Sequence, residues 1–458
     1  MKTDTIAAIA TGLSNAGISI IRISGNEAFH IIDRIYRSKK GNKILSKENT
    51  HTIHYGYIVD QDVVVDEVMV SIMKAPSTYT REDVVEINCH GGIVVTTKIL
   101  ELVIKNGARI AEPGEFTKRA FLNGRIDLSQ AEAVCDIIQA KNELALKNSI
   151  NQLRGGEYEI INYLRETILR DIAYIEAALD DPEHISLDGF NQTLFENLEN
   201  EMQLLKKLIQ DSKNGKIIKE GIKTVIVGKP NAGKSSLLNR LVGEERAIVT
   251  EIAGTTRDTL EETINLNGIT LNIIDTAGIR KTEDVIEKMG VEKAVKFASD
   301  ADLIINVIDS STELDEDDEE ILELIKDKKA IILLNKSDLD SKINKDLIKE
   351  KTKHPVITIS IKKNTGIDEL ENQIKDMFFQ GEISLHEDIY ITNERHKEEL
   401  NNALQSLKLV KQSALDGMPE DFYSIDLMNA YEALGRIIGE NVDEDLVNMI
   451  FKEFCMGK

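Results

Sequence analysis

A short glycine-rich segment carries the most specific chemistry in the sequence. Residues 228–235 read Gly-Lys-Pro-Asn-Ala-Gly-Lys-Ser and fit the pattern G-x-x-x-x-G-K-[ST]. Apolar residues 224–227 predict a buried strand before it, and residues 236–241 predict the start of a helix after it. Two glycines let main-chain N–H groups surround an anion, while Lys234 adds positive charge and the Ser235 hydroxyl can hold Mg²⁺. The segment therefore predicts a phosphate-binding loop.

Two later motifs indicate which nucleotide this loop would bind. Residues 275–278, Asp-Thr-Ala-Gly, follow a predicted strand at 271–274, where the Asp can bind the Mg²⁺ shell and the Gly amide can meet a γ-phosphate. Residues 335–338, Asn-Lys-Ser-Asp, follow a predicted strand at 330–334 in the N-K-x-D pattern. The Asp338 carboxylate would accept hydrogen bonds from guanine N1–H and the exocyclic amine, which adenine cannot offer. The predicted nucleotide is GTP.

The segment between the phosphate-binding loop and residues 275–278 has the composition of a switch that closes over the γ-phosphate. Within residues 250–256, Thr256 is the natural second Mg²⁺ ligand. The sequence shows no obvious arginine finger, since Arg257 and Arg280 could equally be exposed switch residues. A monovalent cation could supply that charge, with Asn231 and main-chain carbonyls of the switch as its oxygen ligands.

The group that orients the attacking water must lie outside the usual position. Directly after Asp-Thr-Ala-Gly stands Ile279, whose aliphatic side chain cannot orient a water. We predict Glu287 in this role, with Glu283 and Asp284 as alternatives.

Composition places the chain among ordinary globular proteins. Its 458 residues are 41% hydrophobic and 29% charged, enough for roughly three domains. Three widely spaced cysteines, Cys89, Cys135 and Cys455, argue against a disulfide framework and fit a reducing compartment. No signal peptide opens the sequence, and no apolar run reaches the roughly 18 residues that span a bilayer. We expect a cytoplasmic protein with no membrane contact.

The net charge of −23 argues against a broadly basic nucleic-acid-binding surface. Any RNA contact must be local or shared with a partner. Much of the acid is concentrated at 313–320, which could be a regulatory patch but is more typical of a solvated helix start.

Periodicity divides the chain into four segments. Residues 1–120 predict a mixed α/β domain, 121–215 long helices, 216–379 alternating strands and helices, and 380–458 helices again. The predicted fold class is multidomain α+β and α/β, with a Ras-like P-loop G domain inserted into a discontinuous helical domain.

Motifs spread along the whole chain resemble those of one family, the MnmE (TrmE) tRNA modification GTPases of the TrmE-Era-EngA type. The segments that show this resemblance are 4–11, 21–25, 113–116, 119–123, 230–236, 253–258 and the terminal Phe454-Cys455-Met456-Gly457-Lys458. The resemblance implies that residues 1–120 form a tetrahydrofolate-binding and dimerisation domain. It also implies K⁺-dependent GTP hydrolysis to GDP and phosphate through pairing of G domains in a homodimer.

The resemblance assigns ligand and catalytic roles residue by residue. Catalysis would involve Glu287, Lys234, Thr256 and Cys455, although a free cysteine near a chain terminus is more commonly a thiol without such a role. Mg²⁺ would bind Ser235 and Thr256, and K⁺ would bind Asn231, Thr250, Ile252 and Thr255. The GTP contacts would be Asn231, Ala232, Gly233, Lys234, Ser235, Ser236, Thr250, Glu251, Ile252, Ala253, Gly254, Thr255, Thr256, Asp275, Thr276, Ala277, Gly278, Asn335, Lys336, Ser337, Asp338, Ser360, Ile361 and Lys362. Ile361 replaces the alanine of a Ser-Ala-Lys motif whose role is mainly through the main-chain amide.

The resemblance further implies a folate and a second enzyme. A 5-formyl or 5,10-methylene tetrahydrofolate would contact Arg22, Glu86 and Arg125, with Lys458 nearby, although Arg22 and Glu86 could simply be a structural ion pair. With an FAD-containing partner of the MnmG (GidA) family, in a heterotetramer, such proteins install an aminomethyl or carboxymethylaminomethyl group at C5 of the tRNA wobble uridine. A ribosome-assembly GTPase and a membrane-remodelling GTPase are the alternatives, but neither an added RNA-binding module nor a basic amphipathic anchor is visible.

Overall fold

A computed structural model shows the chain as two compact units. The first unit comprises residues 1–138, 150–199 and 402–458, and the second comprises 139–149 and 200–401. The structure describes residues 4–39, 41, 43–185, 190–244, 262–266, 268–274, 301–379, 390–419, 421–452, 454 and 457.

A seven-stranded sheet is the centre of the first unit. Its strands are β1 (Ile6–Ile9), β2 (Ala16–Ser24), β3 (Tyr36–Ser38), β4 (Thr52–Asp60), β5 (Val63–Met73), β6 (Val84–Gly91) and β7 (Arg109–Ile110). They lie in the order β3-β4-β5-β6-β2-β1-β7, and all neighbours are antiparallel except β1 and β7.

Alternation along β2 decides which side chains enter the core. Ile21 and Ile23 are fully buried, together with residues of α1 (Ala28–Ile35) and α2 (Ile93–Lys105). Because successive side chains of a strand point to opposite faces, Arg22 points to the other face. There it lies opposite Glu86 of β6.

Helices make up most of the remaining first unit. The helices that fall wholly or partly within it are α3 (Glu115–Leu122), α4 (Leu128–Gln139), α5 (Glu143–Leu153), α6 (Gly156–Asp180), α7 (Phe190–Glu220), α12 (Glu394–Leu415), α13 (Asp421–Ile438) and α14 (Glu444–Lys452), with a 3₁₀ turn at Leu45–Lys47. Buried Arg165 of α6 stacks its guanidinium 4.2 Å from the Tyr431 ring centre of α13 and pairs with Glu440. This contact fastens α6 to α13.

The second unit is built on a six-stranded sheet. Its strands are β8 (Ile222–Val227), β9 (Glu262–Leu266), β10 (Ile269–Ile273), β11 (Leu303–Asp309), β12 (Ala330–Asn335) and β13 (Val356–Thr358). They lie in the order β13-β12-β11-β8-β10-β9, with β9 alone antiparallel to its neighbour. The helices are α8 (Lys234–Glu244), α9 (Glu316–Ile325), α10 (Lys345–Thr352) and α11 (Ile367–Phe379).

The inner parallel strands read as apolar runs because both of their faces are covered. In such a sheet the carboxyl ends of the strands meet at one edge, where ligands bind. The predicted strands at 224–227 and 330–334 are confirmed as parts of β8 and β12. The predicted multidomain fold class is confirmed, while the domain boundaries at 120, 215 and 379 stay predictions.

The acidic run at 313–320 does begin a helix, as predicted. Asp315 is the N-cap of α9 and shares a capping box with Asp318. The prediction of a solvated cluster is wrong for Asp318, which is only 2% exposed. No helix in the described ranges is both long and apolar enough to cross a membrane.

Candidate nucleotide-binding site

The phosphate loop leaves the end of β8 and enters α8. Gly228 has φ +140°, and a Cβ atom there would lie 2.2 Å from the carbonyl oxygen of Val307 in β11. Such an approach is possible only for glycine, because the neighbour is main chain. The adjacent strand therefore fixes the start of the loop.

Lys234 lies inside this loop with its charge uncompensated by a described carboxylate. Its ammonium donates hydrogen bonds to the carbonyl oxygens of Gly228 and Lys229, both at 2.6 Å. Burial lowers the pKa of this ammonium. A partly buried cation held by neutral dipoles favours an anion beside it, so the loop suits a phosphate.

Asn335 joins the phosphate loop to the guanine motif. Its amide nitrogen donates to the carbonyl oxygen of Ala232 at 2.9 Å, and its amide oxygen accepts from the main-chain N–H of Ile361 at 3.4 Å. Gly233, with φ +108°, leaves room for this amide, since a Cβ there would lie 2.2 Å from Asn335 Nδ2. The buried amide thus holds three predicted contact segments together.

The carboxylate predicted to read guanine is oriented by a neighbouring hydroxyl. Ser360 Oγ donates to Asp338 Oδ1 at 2.7 Å and is the main cause of the lowered pKa of Asp338. Lys336, with φ +63°, pairs its ammonium with Asp309 Oδ2 at 2.5 Å. Asp338 is therefore held as an ionised acceptor, the form that reads guanine N–H groups.

Side chains that could hold cations lie in the middle of the loop and at its end. Asn231 has φ +61° and an exposed side chain, and Ser235 is exposed in the first turn of α8. Amide and hydroxyl oxygens are the ligands that hard cations such as Mg²⁺ prefer. Within the described ranges, no cluster of three or more His, Cys, Asp or Glu residues could hold a metal ion.

Part of the predicted site is placed by the structure and part is not. Ala232, Gly233, Lys234, Asn335, Asp338, Ser360 and Ile361 come together at the carboxyl edge of the sheet, with Ser337 and Lys362 on the same loops and Ser236 in the first turn of α8. The predicted residues outside the described ranges are Thr250, Glu251, Ile252, Ala253, Gly254, Thr255, Thr256, Asp275, Thr276, Ala277, Gly278, Glu287, Cys455 and Lys458.

Sequence reasoning missed one ion pair of the phosphate loop. The Lys229 ammonium lies 2.7 Å from both Asp315 Oδ2 and Asp318 Oδ2. In the sequence, Lys229 occupies an unspecified position of the G-x-x-x-x-G-K-[ST] pattern, and the acidic run at 313–320 lies far along the chain. No feature of the sequence indicated that the two would pair.

A second cluster of predicted ligand residues lies in the first unit. Arg22 donates from Nε to Glu86 Oε1 at 2.8 Å and from Nη1 to the carbonyl oxygen of Gly457 at 2.9 Å. Arg125 stacks over the Tyr79 ring at 4.7 Å. Burial raises the pKa of Tyr79, while nearby Arg125 and Arg22 oppose the shift. The structure thus brings Arg22, Glu86 and Arg125 around Tyr79.

Family comparisons cover both units. Residues 5–125 match the family model described as "GTP-binding protein TrmE N-terminus", and residues 128–455 match "MnmE helical domain". A protein of Lachnoclostridium phytofermentans named tRNA modification GTPase MnmE is 66% identical over 100% of both chains.

More distant relatives carry the same name. Proteins named tRNA modification GTPase MnmE from Acetivibrio thermocellus and Enterococcus faecalis are 51% and 48% identical to this chain. Each comparison spans 100% of this chain, with 100% of the first relative and 99% of the second. The chain therefore belongs to the MnmE family of tRNA modification GTPases.

Proposed function

We propose that this chain hydrolyses GTP in a K⁺-dependent reaction coupled to modification of the tRNA wobble uridine. The partly buried ammonium of Lys234 is the observation that carries the proposal, because among the residues that the structure describes its hydrogen-bond partners are main-chain carbonyls of the phosphate loop. Binding of the β- and γ-phosphates would give that charge its counter-charge.

Each described residue of the site has a role in this reaction. Lys234 would move from its carbonyl partners to the phosphates, and Asp338 would accept the guanine N–H groups while Ser360 holds its carboxylate. Ser235 and Thr256 would hold Mg²⁺, which neutralises phosphate charge when it is bound. Glu287 would position the attacking water indirectly.

The missing arginine finger would be replaced by K⁺. The exposed Asn231 amide would supply one oxygen ligand, with Thr250, Ile252 and Thr255 as the others. Positive charge at this position stabilises the charge that spreads over the transferred phosphoryl group. Pairing of two G domains would complete the site.

An exposed apolar face on the first unit supports assembly as a homodimer. Ile53 and Tyr55 of β4 are 67% and 49% exposed, and Met69 of β5, directly opposite Tyr55, is 46% exposed. Large apolar side chains grouped on one sheet face are typical of association surfaces. We assign dimerisation to this domain.

The arginine cluster supports a tetrahydrofolate site. Two guanidinium groups, those of Arg22 and Arg125, can pair with the carboxylates of a 5-formyl or 5,10-methylene tetrahydrofolate, and the partly exposed Tyr79 ring can pack against its planar part. The bound folate would supply the one-carbon unit. A flavin-containing partner and tRNA complete the proposed cytoplasmic reaction.

The test is to incubate unmodified tRNA with this protein, the flavoprotein partner, GTP, the folate as carbon donor and an ammonium salt as nitrogen donor, and to analyse the nucleosides by mass spectrometry. We expect aminomethylated wobble uridine only when all components are present. The Lys234→Ala variant should give none. Equal modification without GTP or without this chain would contradict the proposal.

A further inference from the structure

The phosphate loop is tethered by a side chain that takes no part in the proposed reaction. The Lys229 ammonium lies 2.7 Å from a carboxylate oxygen of both Asp315 and Asp318. Its side chain is 17% exposed and that of Asp318 only 2%. Since a buried carboxylate needs a partner, this arrangement is more demanding than a surface ion pair.

Both carboxylates are also held by hydrogen bonds that do not involve Lys229. Asp315 Oδ1 accepts from the main-chain N–H of Asp318 at 3.2 Å, and Asp318 Oδ2 accepts from the N–H of Asp315 at 3.3 Å. This capping box locks the first turn of α9. The lysine is therefore attached to a rigid helix end.

The segment that carries these carboxylates is also attached to the guanine motif. At its other end, Asp309 pairs with Lys336 at 2.5 Å, and the N–H of Ser310 donates to the carbonyl oxygen of Asn335 at 2.9 Å. Residues 309–318, which we call the β11–α9 segment, thus connect the guanine loop to the phosphate loop.

We propose that Lys229 is a positioning residue of the GTP site, which holds the phosphate loop in its binding shape through Asp315 and Asp318. Lys229 is the second residue of the loop 228–235, so tethering its side chain restrains the loop main chain, whose carbonyl at Lys229 also accepts from the Lys234 ammonium before nucleotide binds. A loop fixed in advance loses less conformational freedom when nucleotide binds. This inference rests on the proposed function.

A second explanation makes the opposite prediction. If Lys229 acted only as a positive charge that attracts phosphate, neutralising Asp315 or Asp318 would remove nearby negative charge and tighten binding. If Lys229 acts through its tether, the same substitutions weaken binding. The sign of the effect separates the two explanations.

The experiment measures dissociation constants for fluorescent GTP and GDP, together with kcat and KM, for Lys229→Gln, Asp315→Asn and Asp318→Asn. We expect each substitution to weaken binding of both nucleotides about tenfold, or about 1.4 kcal/mol, with kcat changed less than KM. Lys229→Arg should keep affinity within about threefold of the parent, since its guanidinium can also bridge two carboxylates. Preference for guanine should stay, because Asp338 and Ser360 are untouched.

The matched control is Lys326→Gln. Lys326 pairs at 3.0 Å with Glu323 on α9 and loses the same charge on substitution. It should leave nucleotide affinity unchanged. Because Asp318 is buried, its substitution can destabilise the fold, so melting temperature is recorded for each variant. Asp315, whose side chain is 56% exposed, gives the test that depends least on stability.

Tighter binding in the aspartate variants would overturn the inference, as would unchanged affinity in Lys229→Gln, Asp315→Asn and Asp318→Asn together. Failure of the parent protein to bind GTP would instead contradict the proposed function. The two failures are therefore distinguishable in one set of titrations.

Discussion

Two cations lie in the candidate sites of the two units, and they are held in opposite ways. Lys234 in the second unit donates to two main-chain carbonyls. Arg22 in the first unit donates to the Glu86 carboxylate and to one carbonyl, that of Gly457. Within the described residues the first cation pairs with no carboxylate, whereas the second is already compensated by one.

From this difference we can predict how strongly anion binding at each site depends on its cation. An anion that reaches Lys234 supplies a counter-charge that no described side chain of the second unit provides. An anion that reaches Arg22 must share it with Glu86, so part of the attraction is offset. We therefore expect substitutions at Lys234 to cost more affinity than substitutions at Arg22.

The largest expected effect on nucleotide affinity is at Lys234. Lys234→Ala removes the charged donor of the phosphate loop, and we expect GTP affinity to fall by about 100-fold or more, since hydrogen bonds to charged groups contribute about 1.5–3 kcal/mol each. Titration with fluorescent GTP measures the loss. Lys223→Ala, which removes an exposed lysine from β8, is the control. Retained affinity in Lys234→Ala would rule out this phosphate loop.

The next effect separates chemistry from binding in the same site. Glu287→Ala should slow turnover by roughly 10²- to 10⁴-fold and leave nucleotide affinity near that of the parent, because the carboxylate acts on the water. Single-turnover hydrolysis beside a binding titration measures both. Normal turnover would move the role to Glu283 or Asp284.

Base reading gives a smaller and more selective effect. Asp338→Asn exchanges a carboxylate acceptor for an amide and should lower the preference for GTP over ATP by at least about tenfold, a loss of about 1.4 kcal/mol. Competition of both nucleotides for the site measures the ratio. An unchanged ratio would contradict the role of Asp338, whose carboxylate Ser360 orients.

The smallest expected effect is on folate affinity, when Arg22, the cation that is already paired with Glu86, is replaced. Arg22→Ala should weaken tetrahydrofolate binding by about tenfold, the loss of one charge-assisted hydrogen bond, and should leave GTP affinity unchanged. Calorimetric titration with 5-formyltetrahydrofolate is the measurement, with Arg22→Lys as the conservative variant. Unchanged folate affinity together with a lower melting temperature would mean that Arg22 and Glu86 form only a structural ion pair.

Local pattern predicted those parts of the fold that depend on neighbouring residues. The phosphate loop between β8 and α8 and the guanine motif after β12 stand where the apolar runs placed them. Each motif lies at the end of a strand, and parallel strands bring their ends together. Residues 335–338 could therefore be predicted to lie in one site with the phosphate loop, although the order of the strands in the sheet was not known.

Contacts between distant residues could not be predicted in the same way. Lys229 contacts Asp315 because β11 is the neighbour of β8 in the sheet. The order of strands in a sheet cannot be predicted from the local pattern of apolar residues. Arg22 meets Gly457 although 435 residues separate them. The predicted switch at 250–256 and the catalytic Glu287 lie outside the described residues and stay predictions.

The rate of GTP hydrolysis in matched K⁺ and Na⁺ buffers tests the account most directly, with light scattering to follow pairing of the G domains. Strong stimulation by K⁺ together with pairing is the predicted result, because the cation would supply the charge of the missing arginine finger. Equal rates in the two salts would contradict the account and would require another source of that charge, such as an arginine from a second protein.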